Sequence, residues 1–320
     1  MPLTLAEYSD VLDARRLIWP RVPPPVAVKA TPSVSPLPGI RAVLWDVYGT
    51  LLRVSDGRFL VYSENEVPLQ VALEKTIHEF SLWQAMHRKP GPPWRSMIGH
   101  YRNITERLSM DATQRRGDLI DVDLNEVWRE IIDKLRQREY QHDADMYGDE
   151  NEFVEKVAFF FHCCLQGTEA RSGAVRAMSD LAAVGIHQGL LADGQSFTLV
   201  QLLRALAHQG NLPPLHEIFR PELLILSCQL GIRKPSITLF EYAVSQLRAA
   251  GISPAETVHV SCRLKTDLGP AKSVGMKTAL LVAEKSGLEA PPELLMDRAT
   301  RPDRLLTDLS QLASIIGGNP

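Results

Sequence analysis

The chain has 320 residues, a formal net charge of -3, 45% hydrophobic and 23% charged residues, so it can bury an ample core without a disulfide or metal staple. With no overall basic field, nucleic acid and an anionic membrane are excluded as its main partners. Of four cysteines, Cys163 and Cys164 are adjacent while Cys228 and Cys262 stand apart, which offers neither a disulfide framework nor a CxxC zinc spacing.

Residues 1–19 carry Glu7, Asp10, Asp13, Arg15 and Arg16 among their apolar side chains, unlike the uninterrupted apolar stretch of a signal peptide. No apolar run reaches the roughly 18 residues of a membrane span. The expectation is a cytoplasmic chain with reduced thiols. A short amphipathic helix is predicted over 4–18. Seven prolines between Pro20 and Pro38 then hold the chain extended, so residues 1–39 read as a helix and an arm lying along the main body.

A compact apolar run over 41–47, closed by Gly49 and Thr50, suits a buried strand of a parallel sheet, with Asp46 at its carboxyl end. Residues 64–165 are helical in pattern. One apolar stripe runs through Val67, Val71, Leu73, Ile77 and Phe80, and a second through Leu124, Val127, Ile131, Ile132 and Leu135. Pro90, Gly91, Pro92 and Pro93 mark a turn at 88–94, and 115–123 reads as a loop. Beyond 168, helices at 168–184, 197–208, 237–249 and 267–274 alternate with strands at 187–191, 223–227, 257–261 and 277–282. Such alternation implies parallel βαβ units, whose ligands bind beyond the carboxyl ends of the strands. The fold class is α/β: a Rossmann-like parallel sheet with helices on both faces (40–60 and 166–320) and an inserted α-helical cap (61–165).

The segments at those strand ends carry a family resemblance. VLWDVYGTLL over 43–52 resembles the first motif of haloacid dehalogenase-like hydrolases; HQGLLADGQ over 187–195, GIRKPSITLFEYA over 231–243 and HVSCRLKTDLGPAKSVGMKTALLV over 259–282 resemble the second, third and fourth. The likeness covers about 40–53 and 168–283, leaving out cap and arm, and implies that Asp46 is a covalent nucleophile. A carboxylate nucleophile needs a neighbouring cation to stay ionised and aimed, and Lys234 can supply it. Asp267 would orient the water that cleaves the aspartyl ester, and Thr50 would brace Asp46. The backbone of the turn at 47–50 could hold an anionic oxygen. Tyr48, Gly49, Thr50, Asp193 and Gly194 are the candidate substrate-binding positions, and a small anionic molecule the expected partner. The oligomeric state stays open.

Departures narrow the chemistry. Phosphatases of this family carry a second Asp, a general acid, where Tyr48 stands, and a metal-holding Asp where Cys262 stands. Asp46 and Asp267 are then the metal ligands that remain, and Mg²⁺ gains little from a thiol. With Lys234 these two carboxylates leave one negative charge in excess, so no cofactor is required, although Mg²⁺ stays open. Tyr48 matches the metal-independent 2-haloacid dehalogenases, whose halide leaves without a proton. For a poor alkoxide leaving group the missing acid would cost about 10² to 10⁴ in rate. Ala192, Asp193 and Phe240 depart from that branch too, and an ionised Asp193 would add a further negative charge. The readings left open are a metal-free hydrolase acting through an aspartyl intermediate, a catalytically impaired member with a binding role, and a Mg²⁺-dependent phosphatase.

Overall fold

Strand periodicity divides the core into two faces. In the computed structural model, which describes residues 1–320 except 62, 64, 87–90, 112, 114 and 317–320, Val43 and Trp45 enter one hydrophobic cluster while Ala42 and Leu44 enter another. This is the alternation that a strand imposes when both its faces are covered. Among the described residues there are ten strands: β1 (Ala42–Trp45), β2 (Leu52–Val54), β3 (Leu119–Ile120), β4 (Thr168–Ala170), β5 (His187–Ala192), β6 (Phe219–Leu226), β7 (Ile232–Arg233), β8 (Thr257–Ser261), β9 (Lys277–Leu281) and β10 (Arg304–Leu306). Six form a parallel sheet in the order β10-β9-β8-β1-β5-β6. From β1 the chain builds outward through β5 and β6, then returns to place β8 on the other side of β1. The strand order therefore reverses beside β1, where open α/β sheets form a crevice at their carboxyl ends. Asp46 lies at that point.

The helices are α1 (Leu5–Ala14), α2 (Glu66–Glu79), α3 (Pro93–Ser109), α4 (Leu124–Arg136), α5 (Ala144–Tyr147) and α6 (Glu150–Leu165), followed by α7 (Ala174–Ala183), α8 (Thr198–Ala207), α9 (Leu215–Ile218), α10 (Ile237–Ala249), α11 (Gly269–Ser273) and two short C-terminal turns. Helices α7 and α8 with Leu312–Ile316 cover one face of the sheet, and α10 with α11 the other. The α2–α6 block lies between β2 and β4, which pair antiparallel and form its stem. Capping fixes its helix starts. The Asp123 side chain accepts from the Asn125 amide at α4, and Asp149 and Glu152 form a capping box at α6.

Several expectations shift in detail. The α4 stripe is buried throughout, and so are Leu73, Ile77 and Phe80 of the α2 stripe, but Val67 and Val71 face solvent and Leu69, Ala72 and Thr76 take their places. The competing stripe has the same helical spacing, and Thr76 enters it at low cost by donating to the Ala72 carbonyl. The stretch 115–123 is not loop alone, since it contains β3, and 168–184 begins with β4 before turning into α7. The 267–274 helix starts as a wide turn, Leu264–Leu268, before α11. Of the turn at 88–94, residues 88–90 lie outside the described residues. The N-terminal helix is no appendage: Tyr8 and Leu12 are wholly buried within the core of the helical block. The arm that follows bridges the sheet edge at Ala27 with Glu284 and at Ser33 with Leu305.

Two loops close over the carboxyl end of the sheet at one contact between glycines. Gly57, at φ +74°, packs so closely on Gly287 that an added Cβ would stand 2.3 Å from the Gly287 nitrogen. Gly57→Ala is therefore expected to lose about 1–2 kcal/mol from the left-handed backbone alone and about 1–3 kcal/mol more from overpacking. Urea denaturation measures the sum, and an unchanged midpoint would refute this account of the closure.

Candidate active site

Asp46 leaves the end of β1 with 1% of its surface exposed, and both carboxylate oxygens are engaged. Its Oδ1 accepts from Lys234 Nζ at 3.0 Å; its Oδ2 accepts from Thr50 Oγ1 at 2.9 Å and from Arg263 Nη2 at 2.9 Å. Lys234 Nζ also donates to Asp267 Oδ2 at 3.0 Å. The structure thus brings Asp46, Thr50, Lys234 and Asp267 together, from three segments far apart in the chain.

Each side chain is aimed by local structure. Lys234 follows β7, which is pinned by antiparallel pairing with β3 from the helical block, and the Asp121 amide donates to the Gly231 carbonyl just ahead of it. The Lys234 amide in turn donates to Asp193 Oδ1 at 2.9 Å. Asp267 sits in the wide turn after β8, where Ser261 Oγ donates to its Oδ2; such turns re-aim a side chain by one extra residue. The turn after Asp46 is held by Arg171, which donates to the carbonyls of Thr50 at 2.7 Å and Gly49 at 2.6 Å and pairs with buried Glu284 at 2.9 Å.

Other candidates are placed differently. The Tyr48 hydroxyl turns away from Asp46, donating to Gln201 Oε1 at 2.7 Å and lying 3.1 Å from Thr198 Oγ1. Its ring packs on Phe59 with centroids 4.9 Å apart, so only its backbone borders the site. Gly49 and Thr50 donate their amides to Leu52 and Val47 within the turn, and Gly194 donates to Ser227 Oγ. The oxyanion donors of the turn at 47–50 therefore narrow to Val47 and Tyr48. Gly49, at φ +98°, does have a spatial role: a Cβ there would stand 2.9 Å from Cys262 Sγ and 3.1 Å from Arg263 Nη1.

Arg263 and Arg171 were not singled out by sequence reasoning. Arg263 changes the charge count. Its guanidinium binds Asp46, donates to the Tyr48 carbonyl at 3.0 Å, and lies 3.7 Å from Asp267 Oδ2. Three carboxylates, Asp46, Asp193 and Asp267, then face two cations. Burial would raise the Asp267 carboxyl, but Lys234 and Arg263 together hold it well below the usual range. Burial would also lower Lys234 and Arg263, yet the carboxylates hold both above their ordinary values. Asp193, pushed up to about 6 by burial against the pull of Lys234, can shed its charge, which removes the excess negative charge. The only signal in the sequence was an Arg appearing directly beside the missing carboxylate at Cys262.

A hard divalent cation does not fit this donor set as it stands. Asp46 Oδ2 and the Tyr48 carbonyl are taken by a guanidinium. Cys262 presents a thiol, pushed up to about 11 by burial, that donates to the Gly287 carbonyl. Mg²⁺ calls for near-octahedral oxygen ligands. Among the described residues no group of three His, Cys, Asp or Glu side chains is arranged to hold a metal.

At the cap-facing edge, Asp121 accepts from Ser227 Oγ at 2.8 Å and is pushed up to about 7, by burial first and by the nearby Asp193. A carboxyl raised in the folded state contributes stability below its unfolded value near 4 and loses it as pH rises through 7. Asp121→Asn keeps an acceptor for Ser227 and should raise the melting temperature at pH 8 while changing it little at pH 4. Thermal melts across that range check this, and an equal effect at both pH values would contradict it.

A glyceraldehyde 3-phosphate phosphatase of Methanocaldococcus jannaschii is 28% identical over 111 residues, 35% of this chain and 43% of that protein. One from Pyrococcus furiosus is 29% identical over 144 residues, 45% and 53% respectively. The chain thus spans about half the length of the curated relatives it matches. Similar solved structures include a 2-haloacid dehalogenase from Pseudomonas syringae (18% identity, TM-score 0.47, 85% of this chain and 96% of that one) and a HAD phosphatase from Thermococcus onnurineus (18%, 0.46, 88% and 99%). The model of haloacid dehalogenase-like hydrolases matches residues 40–275, and with that match across most of its length the chain belongs to this hydrolase family.

Proposed function

We propose that the chain hydrolyses a small anionic substrate through an aspartyl ester at Asp46, with activity confined to substrates whose leaving group departs as a stable anion. The observation that carries this reading is the setting of the Asp46 carboxylate. It lies at the switch point of the sheet, braced by Thr50 and flanked by Lys234 and Arg263, so two cations stand beside it, ready for an anionic group.

In the first step an Asp46 oxygen bonds to the electrophilic centre, the phosphorus of an acyl phosphate or the halogen-bearing carbon of a 2-haloacid, and the leaving group departs with its electron pair. The Tyr48 hydroxyl, raised by burial and directed at Gln201, offers that group no proton. In the second step water attacks the phosphorus of the aspartyl phosphate and the P–O bond to Asp46 breaks, or it attacks the carbonyl carbon of the aspartyl ester and the acyl C–O bond breaks; phosphate or the 2-hydroxy acid leaves with a proton of the water, and the Asp46 carboxylate is freed. Asp267 Oδ1 is buried and has no hydrogen-bond partner among the described residues, which leaves it an acceptor for a hydrogen bond that orients that water. The donor set around Asp46 assigns no step to magnesium. Alkyl phosphates, the ester type in the name of the two curated relatives, are disfavoured by the missing acid.

A second reading, a binding protein on a hydrolase scaffold, is favoured by one observation: both oxygens of Asp46 are occupied and the side chain is 1% exposed. A panel of acyl phosphates, alkyl phosphates and 2-haloacids, with and without Mg²⁺, separates the two. The hydrolase reading expects turnover of acyl phosphates or 2-haloacids that Asp46→Asn abolishes with the fold intact, and alkyl phosphates slower by about 10² or more. Turnover that survives Asp46→Asn, or none across the panel, would overturn it.

A further inference from the structure

We infer that Arg263 is a resident cation standing in the place of a divalent ion, so that the Asp46 site is closed to metal by its own sequence and opens to metal when Arg263 and Cys262 are changed together. This rests on Asp46 being the centre of the site but not on turnover. The metal-binding experiment below is read without substrate, so a silent activity panel would leave it standing.

Three observations converge. The guanidinium sits among three oxygens from two turns: Asp46 Oδ2 at 2.9 Å and the Tyr48 carbonyl at 3.0 Å from the turn after β1, and Asp267 Oδ2 at 3.7 Å from the turn after β8. Carboxylate and carbonyl oxygens converging in this way form the kind of set a hard cation takes, and here a fixed side chain fills it. The neighbouring residue follows the same logic. Cys262 faces the turn at Gly49 and gives its S–H to Gly287, presenting a neutral thiol to an oxygen-lined site. Finally the charges match: a carboxylate at 262 plus a dipositive ion would contribute one positive charge, as do a neutral thiol plus a guanidinium. The net charge around Asp46 is preserved, while the exchangeable ion is replaced by one that cannot leave or be chelated.

The tethered cation also differs in what it can do. A guanidinium supplies directional N–H groups and no vacant coordination position, so it can orient an anionic substrate oxygen but cannot draw one into an inner sphere. That suits chemistry in which the leaving group needs little assistance.

The test is Mn²⁺ binding, read by the electron paramagnetic resonance of free Mn²⁺ and by thermal shift, on the full chain without substrate. The wild type is expected to show no saturable site that depends on Asp46. The double variant Arg263→Ser with Cys262→Asp is expected to bind one Mn²⁺, to gain melting temperature with it, and to lose both when Asp46→Asn is added. Arg263→Ser alone, with Cys262 intact, is expected to bind more weakly than the double variant. Saturable, Asp46-dependent Mn²⁺ binding by the wild type would overturn the inference, as would a folded double variant that binds none. Should the double variant not fold, the wild type and the single variant decide: Mn²⁺ must raise the melting temperature of Arg263→Ser and leave the wild type unchanged.

Discussion

Everything at the carboxyl end of the sheet depends on one arrangement of buried charge, in which Lys234 bridges Asp46 and Asp267 while Arg263 covers the opposite side of Asp46. Taking such groups out of water costs several kcal/mol per ion, and mutual attraction offsets this only where the geometry satisfies most of their hydrogen-bonding capacity. Here it does so through partners from the turns after β1, β7 and β8, with Thr50 and Ser261 supplying neutral donors. Asp267 Oδ1 and, on β8, His259 Nε2 are the exceptions: both are buried without a hydrogen-bond partner among the described residues, and such atoms are held in the interior at a cost. On the proposed function, an acceptor kept ready for water gives the cost at Asp267 a purpose.

The helical block takes part in this arrangement. Its strand β3 is only two residues long, yet it pairs with β7 and thereby fixes the approach of Lys234 to Asp46. The same side carries Tyr48 into a buried polar chain: its hydroxyl donates to Gln201, whose amide reaches His162, which is held neutral by burial near 4 and bonds Gln166, and Gln166 donates to Asp56. The turn after Asp46 is therefore locked to the helical block by hydrogen bonds and to the core by Arg171 and Glu284.

Much of this was legible from residues alone, and the parts that were not share a physical reason. Asp46, Thr50 and Asp267 could be read because they follow strands whose apolar runs are unmistakable, so a two-dimensional pattern already placed them on one edge; Lys234 was read from the segment past such a strand. The β3 and β7 strands are too short to show any periodicity, and the first two turns of the α2 stripe were misplaced because two stripes of equal spacing compete within it. Arg263 was hidden for another reason. A cation beside a lost carboxylate registers as compensation only once the loop is known to fold the guanidinium back onto Asp46, and nothing in a linear pattern says which way a loop side chain turns.

The direction of Tyr48 decides the chemistry in the same way. A tyrosine two residues beyond a nucleophile could serve as a proton donor if its hydroxyl faced the substrate, and composition cannot tell that case from its opposite. With the ring packed on Phe59 and the hydroxyl committed to Gln201 and Thr198, moving it would break two buried hydrogen bonds and leave their partners unsatisfied at about 1–3 kcal/mol each. The phenol is thus a structural pin for the cap, and the acid that phosphate monoesters need is absent from the one position where the motif would have supplied it. What remains at Asp46 is a carboxylate with strong electrostatic support and no Tyr48 hydroxyl turned toward it. On the proposed function, its substrates are those whose leaving groups depart as anions.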